Sequence, residues 1–446
     1  MDNKIRETKE RSLIRFLLPS LIGIFLFMIP IKVDGEITIP VAILADKLGG
    51  LAENALPAIA VLFMAVAVAG SFIVKKVKPV STFVQSLFEV TIPWLVIRIL
   101  GLIFSAMVLW NIGPDWLISS ATGGLLLESL IPLLITVFLF AGLFLPLLLN
   151  FGLLEFCGAV FSPIMRPLFT LPGRSSIDCA ASWLGDGTIG VLLTNQQYEQ
   201  GYYSKREAAV IGTTFSVVSI TFSIVILSDL NLTEYIIPYY LTIVVAGFVA
   251  ALIMPRIPPL SKKKDDFYNQ PNRENESKRP SQLNVFQWGI REASKRAAQN
   301  NFSSVLKGGT KNVLDMWIGV IPVVMALGTI AVVIAESTPF FSIIGTPFVP
   351  LLQLFQVPEA AEASQTMLVG FADMLLPSIL GAEIESEMTR FVIASLSVTQ
   401  LIYMSEVGGL LLASKLPLKF TDLVLIFLER TIITLPVIVG CAHLIF

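Results

Sequence analysis

Long apolar runs, set apart by short polar breaks, fill most of the chain. Leu13–Ile31, Pro57–Val74, Ile92–Trp110, Leu126–Asn150, Ala208–Leu227, Ile236–Pro255, Val313–Ala335, Phe391–Leu412 and Leu423–Ile445 each reach the length of a bilayer-crossing helix. The pattern predicts about nine transmembrane helices. Two further apolar stretches do not fit that template. Leu171–Thr194, reading LPGRSSIDCAASWLGDGTIGVLLT, opens on Pro172-Gly173 and is interrupted by Gly185-Asp186-Gly187 and Gly190. Pro358–Ala382, containing LVGFADMLLPS, is interrupted around Asp373. Glycines and a carboxylate in mid-segment lose helix propensity and expose backbone groups that lipid cannot satisfy, so a plain crossing is disfavoured. Both stretches read as re-entrant hairpins of two half-helices.

Composition agrees with this class. The 446 residues are 54% hydrophobic and only 14% charged, against about 25% charged in soluble domains. The expected fold is an all-α polytopic membrane protein. Ser261–Gln282 (SKKKDDFYNQPNRENESKRPSQ) is polar and without apolar periodicity, so it reads as a solvated, mostly disordered linker. It runs into Val285–Leu306, whose mixture of Trp288, Ala297, Phe302 and Leu306 with Arg291, Lys295 and Arg296 fits an amphipathic surface helix, or equally a helix packed on a neighbour.

Charge placement orients the chain. If both broken stretches turn back without crossing, Lys4, Arg6, Lys9 and Arg11, the Lys75–Lys78 cluster, Arg166, Arg174, Lys205, Arg206, Lys415 and Lys419 share one side with the basic linker. Lys32, Lys47 and Arg390 are left on the other. The positive-inside rule then expects a cytoplasmic N-terminus and an outside C-terminus.

The two broken stretches also resemble each other. Leu171-Pro172 matches Val357-Pro358, Asp186 falls beside Asp373 at nearly the same separation, and Phe215-Ser216-Val217 matches Leu396-Ser397-Val398. This divides the chain into residues 1–125 with three spans, a first repeat at 126–255 with a hairpin at about 173–204, a linker and surface helix at 256–311, and a second repeat at 312–446 with a hairpin at about 358–388. An odd number of crossings separates the units, which makes the repeat inverted. Such repeats place a polar solute near the bilayer midplane.

A charged group in a span costs about 2.5–3.5 kcal/mol by insertion scales, so each calls for a reason. Asp186 and Asp373 either converge on a solute or cap their own half-helices. Ser397, Gln400, Tyr403 and Glu406 recur every third residue and predict one polar stripe; Thr213, Ser216, Ser219 and Ser223 form its counterpart. Glu406 is the leading candidate carboxylate, and with Asp186, Ser216 and Ser397 it is a candidate for coupling to an ion. Arg430 is expected to pair with Glu429 or to snorkel. Cys157, Cys179 and Cys441 show no paired spacing, His443 is the one histidine, and no phosphate-cradling loop is present, so neither metal chemistry nor nucleotide hydrolysis is signalled.

Gly173–Phe222 (GRSSIDCAASWLGDGTIGVLLTNQQYEQGYYSKREAAVIGTTFSVVSITF) and Arg390–Leu418 resemble the YjiH-type bacterial membrane proteins of the nucleoside-recognition "Gate" group, distantly similar to concentrative nucleoside transporters. The resemblance implies solute and sodium binding at the hairpin tips and adjoining broken spans. By position that means Gly185, Asp186, Gly187 and Thr188, then Thr194, Asn195 and Gln196 on the outgoing arm, and Gln400 and Glu406 in the second half. The glutamine–threonine–glutamate arrangement with which those transporters read the base is not evident here. The reading that follows is a secondary transporter of a small polar or charged solute, with no enzymatic activity and no cofactor beyond a coupling sodium ion or proton. Its partners would be the lipid bilayer and the solute, not nucleic acid, with a homo-oligomer left open. The alternatives are a membrane scaffold without a transport cycle and an ion channel.

Overall fold

The computed structural model describes residues 2–29, 31–33, 36–76, 82–184, 187–214, 220–271, 283–300 and 302–446. Helix α1 (Asp2–Met28) leads into a small antiparallel hairpin of β1 (Ile31–Val33) and β2 (Glu36–Thr38), with Ile31 opposite Thr38. There follow α2 (Pro40–Ala52), α3 (Leu56–Lys76), α4 (Thr82–Phe88), α5 (Ile92–Leu109), α6 (Asp115–Ile118) and α7 (Ile131–Leu149). A π-helical turn at Leu125–Leu130 leads into α7, and another at Met316–Val320 leads into α16 (Ile321–Ser337). Each wide turn sits just before an Ile-Pro pair, Ile131-Pro132 and Ile321-Pro322. The proline ring has no N–H to donate and crowds the preceding turn, and the π-turn absorbs that crowding without ending the helix.

Among the described residues, six helical stretches are long and apolar enough to cross a membrane: Leu56–Val74, Ile92–Leu109, Leu125–Leu149, Thr233–Lys262, Leu306–Ser337 and Phe420–Ile445. The chain is a nearly all-helical, multi-pass membrane protein. Its outer surface is apolar, with Leu62, Ile103, Leu241 and Ile432 exposed, while polar groups gather inside. Helices α5 and α16 meet closely at Gly101, where a Cβ would lie 2.2 Å from the Pro322 carbonyl oxygen.

After α7 come α8 (Leu153–Phe169), α9 (Ser175–Leu184), α10 (Gly187–Glu199), α11 (Lys205–Thr214), α12 (Ile220–Asp229), α13 (Ile236–Ile253) within the fourth span, α14 (Val285–Ala298) and α15 (Phe302–Asp315), which leads into the fifth. The second half continues with α17 (Phe340–Gly345), α18 (Val349–Leu354), α19 (Ala360–Thr366), α20 (Leu376–Gly381), α21 (Glu387–Gln400), α22 (Val407–Ala413) and α23 (Phe420–Ile445).

Three expectations need correction here. The run Phe391–Leu412 is not one helix: α21 ends at Gln400, Leu401 turns left-handed at φ 65°, and α22 begins only at Val407. Val285–Leu306 is two helices, and α14 packs on α8 and α1, with Phe156 and Phe286 rings 6.0 Å apart. The start of the supposed disordered linker is ordered against the bundle: Lys263 bonds to Asp422 and to the Pro417 carbonyl, and Phe267 pairs with Ser204, while residues 272–282 lie outside the described residues.

Gly152 shows how α14 is held. Its φ is 97°, and a Cβ there would lie 2.3–2.7 Å from the Ala293 backbone. Both facts exclude a side chain, because a β-carbon strains left-handed backbone and the neighbour it would strike is main chain. Gly152→Ala is expected to destabilise the protein by about 2–4 kcal/mol, seen as a lower Tm in detergent, and an unchanged Tm would contradict this packing.

Candidate functional site

The first hairpin is a tight pair. Arms α9 and α10 pack so closely that a Cβ on Gly190 would lie 2.6 Å from the Ser182 Cβ. Gly187, Thr188 and Thr194 are buried, and the Thr194 hydroxyl is used locally, donating to the Gly190 carbonyl at 2.8 Å. Gly185 and Asp186 lie outside the described residues, as do Ser216 and Ser219.

At the base of this hairpin Asp178 is buried and fully engaged. Gln197 Nε2 donates to it at 2.7 Å and the Tyr203 hydroxyl at 2.5 Å. Arg174 Nε donates to Gln197 Oε1 at 2.8 Å, and its guanidinium lies 3.6 Å from Glu155 and 3.6 Å from the Tyr202 ring centroid. Glu155 also faces Arg296 of α14 at 3.8 Å. Both arms of the hairpin are thus tied through charge to α8 and α14. Gln196, named from the sequence, is only half-buried; its neighbour Gln197 makes the contacts. Asn195 reaches the second half, accepting from the Lys415 backbone N–H at 2.9 Å while donating to Glu199.

The second interrupted stretch and the break in the eighth run lie side by side. Met404 N–H donates to the Phe371 carbonyl at 2.8 Å, and Ser405 N–H to that of Ala372 at 3.0 Å. Asp373 staples the two, accepting from Leu375 N–H at 2.8 Å and from the Ser405 hydroxyl at 2.7 Å. A free backbone group in a bilayer is expensive, and here each break supplies partners to the other.

The expected stripe of Ser397, Gln400, Tyr403 and Glu406 therefore does not lie along one helix. Ser397 turns its hydroxyl back to the Ala394 carbonyl, and Tyr403, already in the break, folds back so that its hydroxyl donates at 2.9 Å to the Ser397 carbonyl. Gln400 Nε2 donates to the Met367 carbonyl at 2.6 Å and to Thr431 Oγ1 at 2.9 Å. Glu406 is buried at the position preceding α22.

Arg430 closes the arrangement, and its role differs from the expected one. It is 1% exposed, and Glu429 is not its partner. Its Nε donates to the Thr399 carbonyl at 2.8 Å, and one terminal nitrogen lies 3.3 and 3.2 Å from the carbonyls of Thr213 and Thr214. One side chain thus joins the C-terminal end of α21 to the last described turn of α11. A helix C-terminus carries about half a negative charge, so the end of α21, with the α11 carbonyls beside it, offsets part of the guanidinium's charge in the membrane interior. Around it, Gln400 Oε1 and Thr214 Oγ1 are buried with no hydrogen-bond partner among the described residues. Gly370 faces that amide, with room for no Cβ: one would lie 2.5 Å from Gln400 Oε1. Among the described residues no group of His, Cys, Asp and Glu is arranged to hold a metal ion.

An uncharacterized protein of Alkalihalophilus pseudofirmus is 50% identical over 438 residues, covering 97% of this chain and 95% of that protein. The chain belongs to the same family. Residues 131–233 match the Gate family, described as nucleoside recognition, so the Gate region runs from α7 through the first hairpin to the end of α12. This agrees with the resemblance carried by Gly173–Phe222. A solved structure of a CNTnw variant in an outward-facing state aligns at 16% identity and a TM-score of 0.29, over 90% of this chain and 97% of that one.

Proposed function

We propose that the protein is a secondary transporter of a small polar solute, nucleoside-like in its hydrogen-bonding groups, working by alternating access in the bacterial inner membrane. One observation carries the reading: the second interrupted stretch and the break at Leu401–Glu406 meet beside the buried Arg430, where polar side-chain atoms of Gln400 and Thr214 have no protein partner among the described residues. Broken helices with half-helix ends turned toward one place are how transporters hold solutes and coupling ions. The Gate match over 131–233 points to the same class. In this reading the chain crosses nine times, with a cytoplasmic N-terminus and an outside C-terminus. The two hairpins re-enter from opposite leaflets as an inverted repeat, and sodium or protons drive the cycle.

Binding of the native state raises stability by about 2.7 kcal/mol when ligand is at a hundred times its Kd. Purified protein scanned against a panel of nucleosides and other small polar solutes, with and without sodium, should show a solute-dependent rise in Tm. The same solute should accumulate in proteoliposomes under an ion gradient. A scaffold would give neither response, and a flat panel together with empty vesicles would sink the transporter reading.

A further inference from the structure

Segment Leu260–Asn269 lies across the Lys205 end of the bundle and fastens three parts of it together. Phe267 pairs with Ser204 in an antiparallel bridge, Lys205 N–H donates to the Asp266 carbonyl at 2.8 Å, and Arg206 N–H to that of Lys264 at 3.2 Å. Side chains repeat the attachment: Lys205 Nζ meets Asp266 at 2.8 Å, and the Ser204 hydroxyl donates to Asp265 at 3.0 Å. Asn269 donates to the Glu199 carbonyl at the end of α10, where the Tyr198 and Tyr268 rings lie 5.4 Å apart. The far anchor is in the second half. Lys263 Nζ binds Asp422 at 2.6 Å and the Pro417 carbonyl at 2.8 Å, just before and within the first turn of α23.

We infer that Leu260–Asn269 is a clasp, joining the outgoing arm of the first hairpin to the entry of α23, which must release before that hairpin can move. The transport consequence rests on the function proposed above; the clasp itself does not. Its anchors differ in strength. Lys205–Asp266 is exposed on both sides, and such pairs contribute little and are screened by salt. Lys263–Asp422 is mostly buried and adds a carbonyl, so it is the anchor that decides whether the clasp holds. The Lys205 bond also holds the Asp266 carboxyl below its ordinary range. A depressed carboxylate pKa contributes above the unfolded value and fades as pH falls through the folded one, so acid loosens this end of the clasp.

The test is hydrogen exchange on the full chain in detergent, read at the amides of α10 and at Lys205 and Arg206. Lys263→Ala should speed exchange there by about tenfold while the middle of α23 is unaffected. Facing residues of an antiparallel bridge stand at disulfide distance, so Ser204→Cys with Phe267→Cys can lock the clasp. The oxidised pair should slow exchange through α10 relative to its reduced form. If Lys263→Ala and the oxidised pair both leave α10 at the wild-type rate, the segment is surface packing and the inference is overturned. Altered exchange in a protein that stabilises with no solute would keep the clasp and remove the transporter.

Discussion

Arg430→Met is expected to lower the Tm of the purified protein by roughly 5–10 °C, the largest stability loss of any single substitution described for this chain. The side chain is buried and donates to the carbonyls of Thr399, Thr213 and Thr214. Methionine fills most of the volume but leaves those acceptors unpaired, at about 1–3 kcal/mol for each group that no water reaches. It also removes the positive charge that faces the C-terminus of α21, whose partial negative charge is then uncompensated. The combined loss is on the order of 3–5 kcal/mol. Lysine should recover only part of it, because an ammonium is a point donor and lacks the planar fork that reaches α11 and α21 together. Thermal unfolding of the three proteins should rank wild type, Arg430→Lys, Arg430→Met; equal Tm values for wild type and methionine would remove Arg430 from the centre of the fold.

How far this centre could be read from sequence depends on what signals a break. The interruption at Asp373 is marked, since Gly370 precedes it and Pro377 follows, and the first hairpin opens on Pro172-Gly173. The break at Leu401–Glu406 carries no such mark. Its residues, LIYMSE, are as apolar as a span, and neither glycine nor proline lies inside it. The chain opens there because Met404 and Ser405 find carbonyl partners on Phe371 and Ala372, a tertiary gain that outweighs local helix propensity. Gly408-Gly409 just beyond was the available hint, with Glu406 at its edge. The ordered segment Leu260–Asn269 was hidden for a related reason: its lysines and aspartates look solvated until their opposite charges at Asp422, Lys205 and Arg206 are placed beside them. Amphipathic α8 and α14 fell below the length and apolarity of a span, while Gln197 differs from Gln196 only in which side of α10 it occupies.

Glu406→Gln is expected to cost the proposed transporter about 10- to 100-fold in solute affinity, with little change in the Tm of the solute-free protein. The substitution keeps the shape and hydrogen-bonding reach of the side chain and removes only its charge, so backbone bonds such as that from Leu410 N–H to the residue's own carbonyl persist. A carboxylate at this depth is retained at a cost of a few kcal/mol, and a hydrogen bond from solute to a charged group returns about 1.5–3 kcal/mol. Gln400→Met is the informative companion. It deletes the unpaired Oε1 together with the bonds to Met367 and Thr431, so it should lose both solute stabilisation and some basal stability. Asp186→Asn, at the tip that the resemblance to Gate proteins singles out, should behave like Glu406→Gln. Solute-dependent Tm shifts across the four proteins separate these outcomes, and a wild-type shift in Glu406→Gln would place the binding charge elsewhere, with Asp373 next in line because its buried carboxylate bonds to both interrupted segments of the second half.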